Sequence, residues 1–221
     1  MKGTLIVLEG TDGSGKSTQF RLLCERMEQE GKPFRRAVFP RYQEPSSALI
    51  RLYLSGAFGE SPGDVNPYAA SAFYAVDRYA SYRQDWGAWY ESGGLVLCDR
   101  YTTSNAVHQA SKLSGGERET FLRWLYQFEF DQMELPRPNL VLYLDMPSKR
   151  SEELLRRREA ATDTEADIHE RDRAYLSACR EAASYAADVL GWQRIACVEG
   201  KRLRTIEEIH GDIWSVVRNI V

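Results

Sequence analysis

Short apolar runs and longer stretches of helical spacing alternate along this chain. Thr4–Glu9, Arg36–Pro40, Leu95–Asp99, Leu140–Asp145 and Arg194–Glu199 are each about strand length and lack clean alternation of apolar and polar positions, the pattern of strands covered on both faces. Between them, Lys16–Glu30 carries Phe20, Leu22, Leu23 and Met27 at helical spacing, and Gly31 is placed to stop it. Pro67–Ser92, Gly115–Met133, Ser148–Arg158, Ile168–Leu190 and Thr205–Val221 read as further helices. Strands that alternate with helices predict an α/β fold with a parallel sheet and right-handed crossovers. No repeat, low-complexity linker or break interrupts the series, so one domain over residues 1–221 is expected.

Two segments stand apart from this relay. Pro67–Ser92 is rich in aromatic residues, from Tyr68 to Tyr90, which suits a core or a subunit interface. Arg156–Arg173 is nearly all charged or small and offers little to bury. It reads either as a solvated helix face with a loop or as a lid, at about 156–172.

Composition narrows the partners. The 221 residues are 43% hydrophobic and 28% charged, with a formal net charge of -3. That is a globular balance without a global basic field, so neither nucleic acid nor an anionic membrane is expected as a partner. The apolar runs are too short to span a bilayer, and Met1–Gly3 followed by a brief apolar stretch is not a signal peptide. Cys24, Cys98, Cys179 and Cys197 are scattered without ligand spacing, which suits buried reduced thiols in a cytoplasmic protein.

One stretch cannot be explained by packing. Leu8–Thr18 reads LEGTDGSGKST, and Gly10, Gly15, Lys16 and Ser17 fit G-x-x-x-x-G-K-[ST] directly after a strand and at the start of a helix. Glycines let successive N–H groups curl onto phosphate oxygens, and the helix start adds its positive dipole end. Gly10, Thr11, Asp12, Gly13, Ser14, Gly15, Lys16, Ser17 and Thr18 are therefore the expected ATP-binding loop. Lys16 is suited to the β- and γ-phosphates, and the Ser17 hydroxyl to Mg²⁺.

A second set of charges sits at the ends of other elements. Asp99-Arg100-Tyr101 closes one apolar strand, Arg41-Tyr42 follows another, and Arg78 lies in the aromatic helix. Asp99 could hold Mg²⁺ directly or through water. Three forked guanidinium groups could converge on a second phosphate. No guanine-reading Asn-Lys-x-Asp is present. A kinase acting on a nucleotide, a deoxynucleoside kinase and a non-catalytic nucleotide-binding regulator all remain open on these residues alone.

The loop with Asp12, FPRY (39–42), FYAVDRYASY (73–82), DRYTTSN (99–105), LVLYLDMP (140–147), DIHERDRAYL (167–176) and IEEIHGDIW (206–214) together resemble the thymidylate kinase family over essentially the whole chain. The resemblance implies a three-layer P-loop kinase fold, with a five-stranded parallel sheet in the order 2-3-1-4-5, helices on both faces and a short lid. It implies phosphorylation of dTMP to dTDP with ATP and Mg²⁺, and a homodimer built through helices such as Pro67–Ser92. By the same resemblance Asp12 contacts the sugar and the arginine network, and Arg41, Tyr42, Arg78 and Arg100 surround the monophosphate and the base. Tyr74, or its neighbour Phe73, stacks on the base. Asn105 and Gln109 meet its polar edge, Tyr175 lies near the sugar, and Asp99 is the magnesium-side carboxylate.

The sequence departs from the family pattern at two places. Gly13 stands where one branch places a catalytic arginine, so the transferring group must draw its cation from the lid, from Arg158, Arg157 or Arg156. His108 stands where a tyrosine often crowds the sugar 2′ position. His169 and His210 read as surface or packing residues, and adenine is expected between the lid base and Val198–Arg204.

Overall fold

The computed structural model describes residues 2–147, 150–151 and 168–221. Five strands, β1 (Thr4–Glu9), β2 (Phe34–Val38), β3 (Leu95–Asp99), β4 (Leu140–Asp145) and β5 (Gln193–Ala196), form one sheet in the order β2-β3-β1-β4-β5. All four pairings are parallel. This is the expected 2-3-1-4-5 order. It follows from a first strand so apolar that both its edges and both its faces are covered. Leu5 and Val7 point to one layer and Ile6 and Leu8 to the other, and all four are buried.

On one face, α1 (Lys16–Gln29) and α9 (Ile206–Val217) cover Ile6, Leu8 and Leu144 with Phe20, Leu23, Met27, Ile209 and Ile213. On the other, Leu5, Val7 and Val96 meet Trp86, Tyr90 and Phe130. The first two of these aromatics come from one continuous segment: α3 (Pro67–Ser81), a π-turn (Tyr82–Trp86) and α4 (Gly87–Glu91). The tryptophan and tyrosine of the aromatic stretch are thus core residues. Between β2 and α3 lies α2 (Ala48–Leu54), and after β3 come α5 (Thr102–His108) and α6 (Gly115–Tyr126), the latter continued by a second π-turn (Gln127–Gln132). The four cysteines are buried free thiols.

Three sequence expectations shift. β2 begins two residues earlier than Arg36 and ends at Val38, because its register runs Phe34 to Leu95 and Val38 to Asp99. Residues beyond it, including the cis Phe39–Pro40 bond, are left to shape the cavity wall. The expected strand Arg194–Glu199 divides. β5 ends at Ala196, and Val198–Glu199 pairs antiparallel with Arg202–Leu203 in a separate hairpin. The helix expected over Ile168–Leu190 breaks at Asp172, whose carboxylate accepts the N–H of Tyr175 and so caps α8 (Arg173–Val189) after the short α7 (Ile168–Arg171). Ile168 is buried among Ile50, Tyr53 and Leu54, so the described end of the expected lid is packed. Arg156, Arg157 and Arg158, and the expected helix start at 148–149, lie outside the described residues.

Candidate active site

Register places the chemistry. Leu8 of β1 stands opposite Asp99 of β3, so the loop leaving one strand and the Asp99-Arg100 pair leaving the other emerge side by side. The Arg100 N–H donates to the Leu8 carbonyl at 3.1 Å. This is the carboxyl edge of a parallel sheet, where ligands of such folds sit.

The glycine loop is shaped for close approach of an anion. Gly13 and Gly15 have φ of 77° and 81°, in the left-handed region that glycine enters without strain. A Cβ on Gly10 would stand 2.5 Å from the Ser14 hydroxyl. Lys16 opens α1 and is ion-paired with Asp99. Burial draws its pKa down, and Arg100 adds to that while Asp99 opposes it. The hydroxyls of Thr11 and Ser14 are buried, with no hydrogen-bond partner among the described residues.

Arg100 is the pivot between loop and sheet. Its φ is 65°, a rare conformation for a residue with a side chain. The guanidinium donates to Asp12 Oδ1 at 2.7 Å, approaches Glu9 Oε1 at 3.5 Å and reaches His108 Nε2 at 3.2 Å. Burial works against the Asp12 carboxylate, but Arg100, then His108 and Lys16, outweigh it and hold its pKa at about 2. Burial first, and Arg100 second, push His108 down to about 4. A guanidinium has only donors, so Nε2 of the neutral imidazole accepts and the proton sits on Nδ1, 3.5 Å from Cys179 Sγ.

These groups line one cavity of about 590 Å³ that runs from the glycine loop to α3 and α5. Of the residues expected at an acceptor site, Tyr42, Tyr74, Arg78, Arg100, Asn105 and Gln109 line it. Phe73 packs on Phe58, with ring centroids 5.7 Å apart, and Tyr74 lines the cavity. Gln109 is fully buried, and neither its amide oxygen nor its nitrogen has a hydrogen-bond partner among the described residues.

Two expected residues are placed elsewhere. Arg41 does not line the cavity. Its guanidinium is turned onto α3 and the π-turn after it, with Nη1 2.7 Å from Asp85 of the turn and Nε 3.2 Å from Asp77 of α3, a buried carboxylate that needs a counter-charge. Tyr175 also stays out of the cavity wall, and its hydroxyl donates to the His108 carbonyl at 2.9 Å. The Val198–Arg204 hairpin is outside the cavity lining too, with Arg202 held by Glu199 and Glu208.

Three residues in or beside the cavity escaped the sequence reading. Glu9, fully buried at the end of β1, accepts from the Gly10 N–H at 2.9 Å and from the hydroxyls of Thr103 and Ser104 at 2.6 and 2.7 Å. A carboxylate closing an apolar strand just before the loop was its available signal. His169 lines the cavity, stacked on His108 at 5.6 Å and 2.9 Å from the Tyr53 hydroxyl. Glu129 accepts from Arg78, Thr102 and Asn105, and nothing local in its sequence announces it.

A parallel sheet in this order, with a glycine loop, a buried lysine and a strand-end Asp-Arg pair at its carboxyl edge, defines a P-loop nucleotide-binding protein. Comparison with known proteins narrows the class. The model of the family described as thymidylate kinase matches residues 8–212. A probable thymidylate kinase of Pyrococcus abyssi is 30% identical, with 99% of this chain and 98% of that one covered. A thymidylate kinase of Mycobacterium tuberculosis is 30% identical over 76% of this chain and 78% of its own. The solved structure of thymidylate kinase from Candida albicans shares the fold at a TM-score of 0.71 and 20% identity, covering 99% of this chain and 92% of that one. The chain belongs to the thymidylate kinase family: it is a nucleoside monophosphate kinase, and the reaction of the family is phosphorylation of thymidylate.

No helix among the described residues is long and apolar enough to cross a membrane.

Proposed function

We propose that this chain transfers the γ-phosphoryl group of ATP to the phosphate of dTMP inside this cavity, with Mg²⁺ as cofactor. One observation carries the reading. Lys16 of the glycine loop, Arg100 just after β3 and the amide of Gln109, which has no partner among the described residues, open into the same space. An anion donor, an anion acceptor and a polar base edge can then be seated end to end.

The donor half is the loop Gly10–Thr18. Its N–H groups and the start of α1 receive the polyphosphate, the Thr11 and Ser14 hydroxyls gain the partners they lack, and Lys16 exchanges Asp99 for phosphate oxygens. Among the described residues no group of three or more His, Cys, Asp and Glu side chains is placed to hold a metal. That suits Mg²⁺, which commonly keeps several waters and takes only one or two protein ligands beside the phosphates. Ser17 and Asp99 are the side chains that would hold it. When bound, the ion neutralises charge between the β- and γ-phosphates.

In the acceptor half, Arg100 binds the monophosphate and holds its oxygen in line. Asp12 fixes Arg100 and meets the sugar. The Tyr74 ring lies against thymine, and Arg78, Asn105 and Gln109 meet its polar edge. The phosphate oxygen is anionic at neutral pH, so no strong base is required, and positioning with charge neutralisation carries the step. The cation at the transferring group is assigned to the expected lid, to Arg158 with Arg157 and Arg156 as the alternatives. The outward side chains Leu49 and Leu52 of α2 and Val76 and Tyr79 of α3 are exposed, which supports the homodimer expected of the family.

The experiment is a coupled assay with ATP and Mg²⁺ against dTMP, dUMP, thymidine and no acceptor. ADP release that requires dTMP is the expected result. Turnover with thymidine alone would reassign the chain as a deoxynucleoside kinase, and silence in every well as a non-catalytic nucleotide-binding regulator.

A further inference from the structure

The most heavily engaged carboxylate of the acceptor half belongs to a residue that lines no cavity. Glu129 is fully buried in the π-turn Gln127–Gln132. Its Oε2 accepts from Arg78 Nε and from the Thr102 hydroxyl, both at 2.7 Å. Its Oε1 accepts from Arg78 Nη2 at 2.5 Å and Asn105 Nδ2 at 3.3 Å. Arg78 comes from α3, Thr102 and Asn105 from α5, and both Arg78 and Asn105 reach the cavity wall. One carboxylate therefore fixes two elements of the acceptor pocket. Glu129 lies in a π-turn, a feature that often occurs at functional sites.

The pairing also sets charge. Arg78 is 1% exposed, and without a counter-charge it would be a third cation in a cavity that already holds Lys16 and Arg100. Glu129 takes Nε and Nη2 and leaves Nη1 outside those bonds. The result is a compensated, directional N–H donor, suited to a neutral carbonyl oxygen rather than to a phosphate.

We infer that Glu129 is a positioning residue that orients the acceptor nucleotide. It holds Arg78 and Asn105 for the base and cancels the Arg78 charge, so the monophosphate goes to Arg100 and not to the base end. This rests on the proposed seating of the base at Arg78.

The test is steady-state kinetics of the full chain and its Glu129→Gln, Arg78→Met and double Arg78→Met/Glu129→Met variants, with inorganic phosphate as competitor against dTMP. Glu129→Gln should raise the KM for dTMP about tenfold or more, leave the KM for ATP nearly unchanged and lower kcat far less. It should also make inorganic phosphate a stronger competitor, because Arg78 is then uncompensated; a merely structural lesion would not do that. If Glu129→Gln does not fold, the double variant replaces the buried pair by apolar groups, an exchange that folds well in other proteins. It should show a raised dTMP KM with wild-type sensitivity to phosphate. An unchanged dTMP KM in Glu129→Gln while Arg78→Met raises it overturns the role of Glu129 alone, and an unchanged dTMP KM in the double variant overturns the seating of the base with it. An unchanged dTMP KM in Arg78→Met overturns the seating of the base itself.

Discussion

Arg100 and Asp12 are joined by a 2.7 Å hydrogen bond that ties the end of β3 to the glycine loop of β1. The two residues are 88 positions apart in sequence. They meet because Leu8 and Asp99 face each other across the β1–β3 pairing. The bond joins the glycine loop to a residue whose backbone is left-handed, a costly conformation for any residue but glycine.

Replacing Arg100 by alanine removes a charge-assisted contact worth about 1.5–3 kcal/mol. The expected outcome is a loss of kcat/KM for dTMP of about 10- to 150-fold, with the KM for ATP much less affected. Arg100→Lys should recover little of it, since a single ammonium cannot hold Asp12 and a phosphate in the same forked geometry. Initial rates at varied dTMP and fixed ATP check both variants.

Tyr74 and Phe73 separate a cavity role from a packing role at adjacent positions. Losing an aromatic face under a base costs about 1–3 kcal/mol. Tyr74→Ala should therefore raise the KM for dTMP about 5- to 150-fold. Phe73→Ala should leave that KM nearly unchanged and lower the melting temperature instead, through the lost contact with Phe58. Kinetics and thermal denaturation of the two variants side by side provide the check.

The stacked histidines predict acid sensitivity. Burial, with Arg100 next, lowers His108 to about 4, and burial, with His108 next, lowers His169 to about 2. Unfolded, each takes up its proton near the ordinary value of 6.5. Between pH 6.5 and about 4 the unfolded chain thus binds more protons than the folded one, and stability falls as pH falls. Each histidine adds a slope of up to about 1.4 kcal/mol per pH unit in that window. Denaturant unfolding from pH 7 to 4.5 should show the decline, and a His108→Gln/His169→Gln variant should flatten it.

What the sequence made legible was local or strand-bound. The glycine loop could be read because its function requires fixed spacing next to a strand and a helix. Arg100 could be read because it follows the last residue of a buried strand. The five strands were visible as apolar runs, while their 2-3-1-4-5 order came from the family resemblance. Edges were less visible, because Val198 is apolar like a strand residue but pairs in the hairpin with Leu203. Arg41 looked like a phosphate ligand because nothing in sequence reveals that Asp77, 36 positions away, sits buried beside it. His169 looked like packing, and its place on the cavity wall depends on a stack with His108 from another element. Glu129 was invisible for the same reason, since its partners Arg78, Thr102 and Asn105 lie 51, 27 and 24 positions away.

The central claim is that donor and acceptor phosphates occupy one continuous cavity, anchored by Lys16 at one end and Arg100 at the other. Isothermal titration with adenosine and thymidine joined through five phosphates tests it most directly. The account predicts one ligand per chain, bound far more tightly than ATP or dTMP, with Lys16→Met and Arg100→Ala each weakening it. Affinity no better than that of ATP and indifferent to Arg100→Ala would contradict it.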